Sequence, residues 1–150
     1  MSRIRVATFI RAPRDTVWEA VRDIGSHVEW MQDAVAIRFT SPTREGVGTT
    51  FDCDSKLGPF RTTDRMVVTE WSPGRAIGVR HFGKVTGEGR FTLKRRRSGT
   101  VFVWKETLTF PPKFGGPVGA AIAAPFFKRM WRKNLRNLKQ EIEDSAQLGS

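Results

Sequence analysis

The sequence predicts an α+β fold, a strand-rich antiparallel sheet closed by one long C-terminal helix. Three observations carry the prediction. Ala120, Ala124, Phe127, Trp131, Leu135, Leu138 and Ile142 follow one another at steps of 4, 3, 4, 4, 3 and 4, which puts them on one face of a helix over about 114–145. Everything upstream of about residue 112 reads mostly as short strands separated by turn signals. Consecutive strands are joined by short turns, so neighbours run antiparallel. Neither the helix nor the sheet is stable in water alone, so the stripe must lie across the sheet. A curved sheet gripping one helix often encloses a cavity, and function is to be sought there.

Each element has its own signal. Over 3–10, Ile4, Val6, Thr8 and Ile10 alternate with Arg3, Arg5, Ala7 and Phe9, the pattern of a half-buried strand. Ala12-Pro13 breaks it, and Pro13 suits the first turn of a helix whose inner face is Val17, Ala20, Val21 and Ile24 and which Gly25 ends. A second short helix, about 26–32, carries His27, Trp30 and Met31. Strands follow near 34–41, 47–56, 60–71, 75–83, 85–96 and 100–110, divided by Ser41-Pro42, Leu57-Gly58-Pro59, Ser72-Pro73-Gly74 and Ser98-Gly99. Pro111-Pro112 stops the last strand before the long helix.

Length and composition bound the function. The 150 residues suit a single domain, 1–150, with no repeat or linker. With 11 Phe and 5 Trp but no Tyr, many rings must be buried or must line something apolar. The lone Cys53 excludes an intrachain disulfide, and a reducing cytoplasm is the expected location. The N-terminus lacks an apolar run long enough for a signal peptide. The longest uncharged stretch, 114–127, is too short and too rich in Gly and Pro to span a bilayer. A net charge of +11 favours anionic partners, yet the basic residues are dense only at 94–97 and on the helix face formed by Lys128, Arg129, Arg132, Lys133, Arg136 and Lys139. Weak contact of that face with an anionic membrane surface is one expectation. Nucleic acid is disfavoured, because the Phe and Trp residues sit in core register rather than among the basic ones.

Ile10-Arg-Ala-Pro13-Arg-Asp-Thr-Val17-Trp18-Glu-Ala-Val21-Arg-Asp23, followed by Trp30, resembles the opening of the START-like, or SRPBCC, superfamily, in its polyketide cyclase/dehydrase-like branch. Val68-Thr-Glu70-Trp-Ser-Pro73-Gly-Arg75 and Gly87-Glu-Gly89-Arg-Phe91-Thr-Leu93 leading to Trp104 agree, so the resemblance covers almost the whole chain. It implies a helix-grip fold: a seven-stranded antiparallel sheet wrapped around the C-terminal helix, with two short helices after strand 1. It also implies a cavity between sheet and helix for lipids, polyketides, quinones, hormones or other apolar molecules. Such members include cyclases, aromatases and carriers, so the fold alone leaves function open.

Strand parity gives candidate walls for that cavity. In the run 47–56, Val47, Phe51 and Cys53 alternate with Asp52, Asp54 and Lys56, so Phe51 and Cys53 point inward; Ile77, Val79 and His81 follow, then Phe91 and Leu93. On 100–110 one set is Phe102, Trp104, Glu106, Leu108 and Phe110 and the other Val101, Val103, Lys105, Thr107 and Thr109; both are partly apolar, and the bulkier first set is expected to face the helix. The helical segments and the turn before the long helix add Trp30, Phe114, Ile122, Phe127 and Trp131. The expected ligand-binding set is Trp30, Phe51, His81, Phe91, Trp104, Glu106, Phe114, Ile122, Phe127 and Trp131. Each ring is equally consistent with ordinary core packing.

Glu106 and His81 are the catalytic candidates. A carboxylate between Trp104 and Leu108 is costly unless paired, and Arg80, Arg90, His81 or a ligand hydroxyl would each serve. His81 suits acid–base chemistry near neutral pH. Two His and one Cys argue against a transition-metal site, and no metal or cofactor is expected. Asp52 and Asp54 share a strand face and would meet Arg61 or Arg65 across a hairpin, while Cys53 reads as a buried inert thiol. Gly83, Gly87 and Gly89 lie in a strand context and read as bends or bulges rather than a phosphate loop. The segment 114–125, with Gly115, Gly116, Gly119 and Pro125, would act as a lid or let the helix approach the sheet closely. The first functional expectation is a carrier or sensor of an apolar small molecule; the alternative is a cyclase/dehydrase-like enzyme using Glu106 and His81.

Overall fold

The computed structural model describes residues 2–57 and 59–148. Strand β1 (Ser2–Ile10) buries Ile4, Val6 and Ile10 and exposes Arg3 and Arg5. Helix α1 (Arg14–Val21) follows directly on Pro13, whose carbonyl accepts the Val17 amide at 3.1 Å, and it buries Val17, Trp18 and Val21. The helix stops earlier than expected. Asp23 is extended (φ −81°, ψ 91°), and its carbonyl accepts both the Ser26 amide at 3.0 Å and the Ser26 hydroxyl at 2.7 Å. Those bonds start a tighter 3₁₀ helix, Ile24–Glu29, so Ile24 and Gly25 belong to the second helical segment and Gly25 is not the stop.

The remaining strands are β2 (Ala34–Phe39), β3 (Thr50–Leu57), β4 (Phe60–Ser72), β5 (Ala76–Phe82), β6 (Thr86–Arg96) and β7 (Gly99–Thr109). A 3₁₀ turn, Pro112–Phe114, leads into the long helix α2 (Gly116–Leu148). The strands form one antiparallel sheet in the order β1-β7-β6-β5-β4-β3-β2, which is the helix-grip arrangement. α1 and the 3₁₀ helix carry the chain from one edge of the sheet to the other. β3 begins later than its alternation suggested, because Gly46 and Gly48 take left-handed φ values of 90° and 93°. Val47 lies between them, exposed, and shares no inward face with Phe51 and Cys53. The sheet's irregular registers fall at Ala34/Ala36 and Val68/Glu70, not at the β6 glycines.

α2 lies along β1 and β7, burying Ala120, Trp131, Leu135, Leu138 and Ile142. Asn134, fully buried on the same face, accepts the Gln32 amide at 3.0 Å and donates to Asp33 Oδ1 at 2.9 Å. These bonds tie the helix to the chain entering β2. Lys139 differs from its neighbours on the expected basic face. Its Nζ donates to the Phe9 carbonyl at 2.8 Å and to Glu143 at 2.6 Å, because its position in the helical period turns it towards β1. Gly115 and Gly116 take left-handed φ values of 88° and 55° at the entry to α2, residues 117–125 continue as turns of the helix, and a Cβ on Gly119 would fall 2.0 Å from the Phe114 carbonyl oxygen, so only glycine lets the helix start sit so close to the preceding turn.

The core divides in two. One group packs between α2 and β1, β6 and β7; the other, Ile24, Ala34, Phe51, Cys53 and Val68, covers β2 to β4. Met31, Trp71 and Val79 pack against both.

Candidate ligand cavity

Between the two core groups lies a cavity of about 210 Å³. Six strands contribute to its wall, and α2 contributes Phe127 and Trp131. Its apolar side is built by parity: Phe51 and Cys53 from β3, Met66 from β4, Ile77 and Val79 from β5, Phe91 from β6, Trp104 and Leu108 from β7. Trp131 stacks between Trp104 and Phe127, with ring centroids 4.7 and 5.4 Å away.

Of the ten expected residues, Phe51, His81, Phe91, Trp104, Glu106, Phe127 and Trp131 line this space. Three do not. Trp30 is buried one layer behind the wall, its ring 5.9 Å from Phe91 and 6.3 Å from Trp104. Phe114 sits in the 3₁₀ turn and is exposed. Ile122 is also exposed, since its helical phase is opposite that of Trp131. The wall also contains residues absent from the expected set: His27 in the second helical segment and Met31 just beyond it, which with Ile24 follow at steps of 3 and 4, and Asp33, Asp64 and Met66. The 3,4 spacing was the available signal for the first two. Asp64 and Met66 share the inward parity of β4, whose alternation is obscured by its polar residues.

The polar end is organised by His81 and Glu106. His81 Nε2 lies 3.1 Å from Glu106 Oε2, and Trp104 Nε1 donates to Glu106 Oε1 at 3.1 Å. The other two proposed partners are on the outer face: Arg80 pairs with Glu88, and Arg90 with Glu70 at 2.7 and 3.0 Å. His81 is on β5 and Glu106 on β7, with β6 between them. The β6 residues at this level are Gly87 and Gly89, both in regular ladder register. A Cβ on Gly89 would come within 2.4 Å of Glu106 Oε1, and one on Gly87 would strike the Thr107 carbonyl oxygen at 2.0 Å and come within 3.0 Å of His81 Nε2. These glycines are therefore neither bends nor bulges; they leave the gap that the pair fills. Gly83 does lie in a bend, where a Cβ would strike the Asp64 carboxyl.

Burial alone would lower the His81 pKa, but the hydrogen bond and charge of Glu106, the charge of Asp64 and a bond to the Val85 backbone together raise it. The His81 ring is thus held in its protonated form further towards neutral pH than a free histidine. Burial pushes the Asp64 carboxyl up, against the opposing charges of His81 and Lys84. His27 is the opposite case: full burial lowers its pKa to about 4, so it is neutral, and its Nε2–H donates to the Val21 carbonyl at 2.7 Å. Burial raises the Cys53 thiol to about 11, so it carries no thiolate at neutral pH. The Asp52–Arg65 pair forms across the β3–β4 hairpin at 3.7 Å, whereas Asp54 turns to Arg38 on β2 and to Thr63. Among the described residues, no group of three or more His, Cys, Asp and Glu is placed to hold a metal ion. No helix of the described residues is long and apolar enough to cross a membrane.

This architecture, an open seven-stranded sheet gripping one helix around an apolar cavity with a small polar end, is that of the START-like proteins. The chain belongs to the family described as "Polyketide cyclase / dehydrase and lipid transport", which it matches over residues 1–143. No protein of curated function matches it. Among solved structures it is similar to a conserved protein from Geobacillus kaustophilus, with 13% identity, 96% of this chain and 97% of that one covered, and a TM-score of 0.80. It is also similar to the di-domain aromatase/cyclase StfQ of the steffimycin biosynthetic pathway, with 17% identity, 96% of this chain and 51% of that one covered, and a TM-score of 0.79. The Zhui aromatase/cyclase from a Streptomyces species gives 15% identity, 95% and 93% coverage, and a TM-score of 0.67. At these identities the likeness is one of fold.

Proposed function

We propose that this protein binds one apolar small molecule in the cavity between sheet and helix, as a carrier or sensor. The observation that carries this reading is the wall itself: apolar side chains from six strands and α2 surround the space, and at its polar end His81 and Glu106 satisfy each other. Apolar burial at roughly 25 cal/mol per Å² is sufficient to drive such binding. The size supports a compact ligand. A cavity of about 150 Å³ takes benzene, so about 210 Å³ suits a substituted ring rather than a long acyl chain. The lone, unionised Cys53 fits a reducing, cytoplasmic setting.

Native mass spectrometry of protein purified from its own host tests the reading, with a Val79→Trp variant as control. The wild type should carry a bound apolar molecule that the filled variant lacks. Equal loading of both would place the ligand elsewhere and sink the proposal.

One observation favours the alternative, a cyclase/dehydrase-like enzyme: His81, its pKa raised by the bonded carboxylate of Glu106 and the charge of Asp64, faces the same space. Glu106→Gln separates the two. In a carrier, affinity for an apolar ligand holds or improves slightly; in an enzyme, turnover of a poly-β-keto substrate falls by about a hundredfold or more, the usual scale for losing a general acid or base.

A further inference from the structure

α2 carries a second stripe. Val118, Ile122, Phe126, Arg129, Lys133 and Arg136 follow at steps of 4, 4, 3, 4 and 3, the same kind of spacing as the buried stripe but on the opposite side. All six are exposed. The row changes character partway: its first three residues are large and apolar, exposed at 69%, 75% and 58%, and its last three are cationic. Ala121 and Pro125 extend the apolar part, and Lys128 and Arg132 the cationic part. Phe114, 41% exposed, stands just ahead of the helix with Lys113 over its ring.

Isolated exposed apolar residues need no explanation, but three in register along one helix face do. Nothing in the fold covers them. The charge around them selects the partner. There is no Asp or Glu anywhere between Glu106 and Glu141, and seven Lys and Arg fall in that interval. A second copy of this chain would bring one cationic row towards another, on a molecule already at +11. An anionic bilayer offers both things the stripe lacks: acyl chains for Val118, Ile122 and Phe126, and phosphates for Arg129, Lys133 and Arg136.

We propose that the outer face of α2 docks this protein on anionic phospholipid bilayers, its N-terminal turns seated among the acyl chains and its middle turns on the headgroups. The ring of Phe126 lies 5.9 Å from that of Phe127, which lines the cavity, so docking brings the cavity's helical wall to the membrane surface. The docking does not rest on what the cavity holds: Val79→Trp, which fills it, should leave vesicle binding unchanged.

Co-sedimentation with vesicles of phosphatidylcholine, and of phosphatidylcholine mixed with phosphatidylglycerol, tests the proposal on the full chain. The wild type should bind only the mixed vesicles. Each basic side chain near an anionic surface contributes roughly a fivefold gain, so Arg129→Gln/Lys133→Gln/Arg136→Gln should weaken partitioning by about a hundredfold. Ile122→Gln/Phe126→Gln should weaken it by at least about tenfold with the melting temperature intact, since both side chains are solvent-exposed. As a readout that removes less apolar surface, Phe126→Cys can be labelled with an environment-sensitive fluorophore, because Cys53 is buried. Its emission should shift to the blue on mixed vesicles. Three results would overturn the proposal: binding of the glutamine double variant equal to wild type, an unshifted label on bound protein, or a wild-type dimer that the double variant dissolves and no vesicle binding.

Discussion

His81 and Glu106 bond to each other from strands that are not neighbours. The imidazole on β5 and the carboxylate on β7 meet at 3.1 Å over β6, where Gly87 and Gly89 present no side chains. The outer face repeats the device. There Arg90 on β6 reaches Glu70 on β4 across Gly78 of β5, whose Cβ would stand 3.0 Å from that of Glu70. In both cases a glycine in a continuous ladder is a requirement of residues on the strands flanking it.

Gly89→Ala should therefore act through Glu106. The added methyl displaces a carboxylate that cannot leave the buried pair cheaply, at a cost of about 1–3 kcal/mol. Urea unfolding gives the cost. The His81 proton resonances should titrate at lower pH than in wild type, since burial persists while the Glu106 bond is strained. An unchanged His81 titration would show that the pair tolerates the methyl.

The two buried histidines impose opposite pH dependences. His81 has a raised pKa, so its contribution to stability is fully present below the unfolded value of 6.5 and is lost as pH rises through the folded one. His27 has a depressed pKa, so its contribution is present above 6.5 and is lost as pH falls towards about 4. That second loss amounts to about 3 kcal/mol. Denaturant unfolding of His27→Gln should lack the steep decline between these limits, and Glu106→Gln should lack the decline above 6.5. A parallel profile in wild type and variant would remove that histidine as the source.

Asn134→Ala leaves the Gln32 amide and the Asp33 carboxyl without their partner and should destabilise by about 1–3 kcal/mol. Met31 and Asp33 flank this anchor and line the cavity, so ligand affinity should fall alongside melting temperature. A variant with lowered stability and full affinity would show that α2 does not position that part of the wall.

Cys53 offers a direct probe of occupancy. It lines the cavity with its thiol pushed up to about 11, so iodoacetamide at mildly alkaline pH should alkylate the native protein far more slowly than the unfolded chain. Saturation with an apolar ligand should slow it further, followed by intact mass. Protection by ligands that still bind Val79→Trp would locate the competition outside the cavity.

Much of this architecture is legible in the residues alone. The stripe from Ala120 to Ile142 and the strand alternations survive because each depends only on local period. Parity likewise turned His81 and Glu106 inward. Residue chemistry put His81 among the possible partners of Glu106, but which partner was not legible: a strand glycine reads as a bulge or as a vacancy, and the choice depends on a side chain from another strand. Ile122 shows the reverse. Nine residues at about 100° each put it about 180° from Trp131, so the period that identified the stripe already excluded it from the wall. Val47 was drawn into β3 by its β-branched side chain, and the left-handed backbone at Gly46 and Gly48 overrode that preference.

The divided core has a consequence for how the molecule holds its shape. The β2–β4 half and the α2 half are joined through the ladder, through the Asn134 bonds to Gln32 and Asp33, and through a few residues, Met31, Trp71 and Val79, that pack against both. An apolar guest between them would be the keystone of the arch, touching both halves at once. Its arrival should couple their fluctuations: amides on β3 and on α2 should exchange with solvent independently in the empty protein and slow together once the guest is bound.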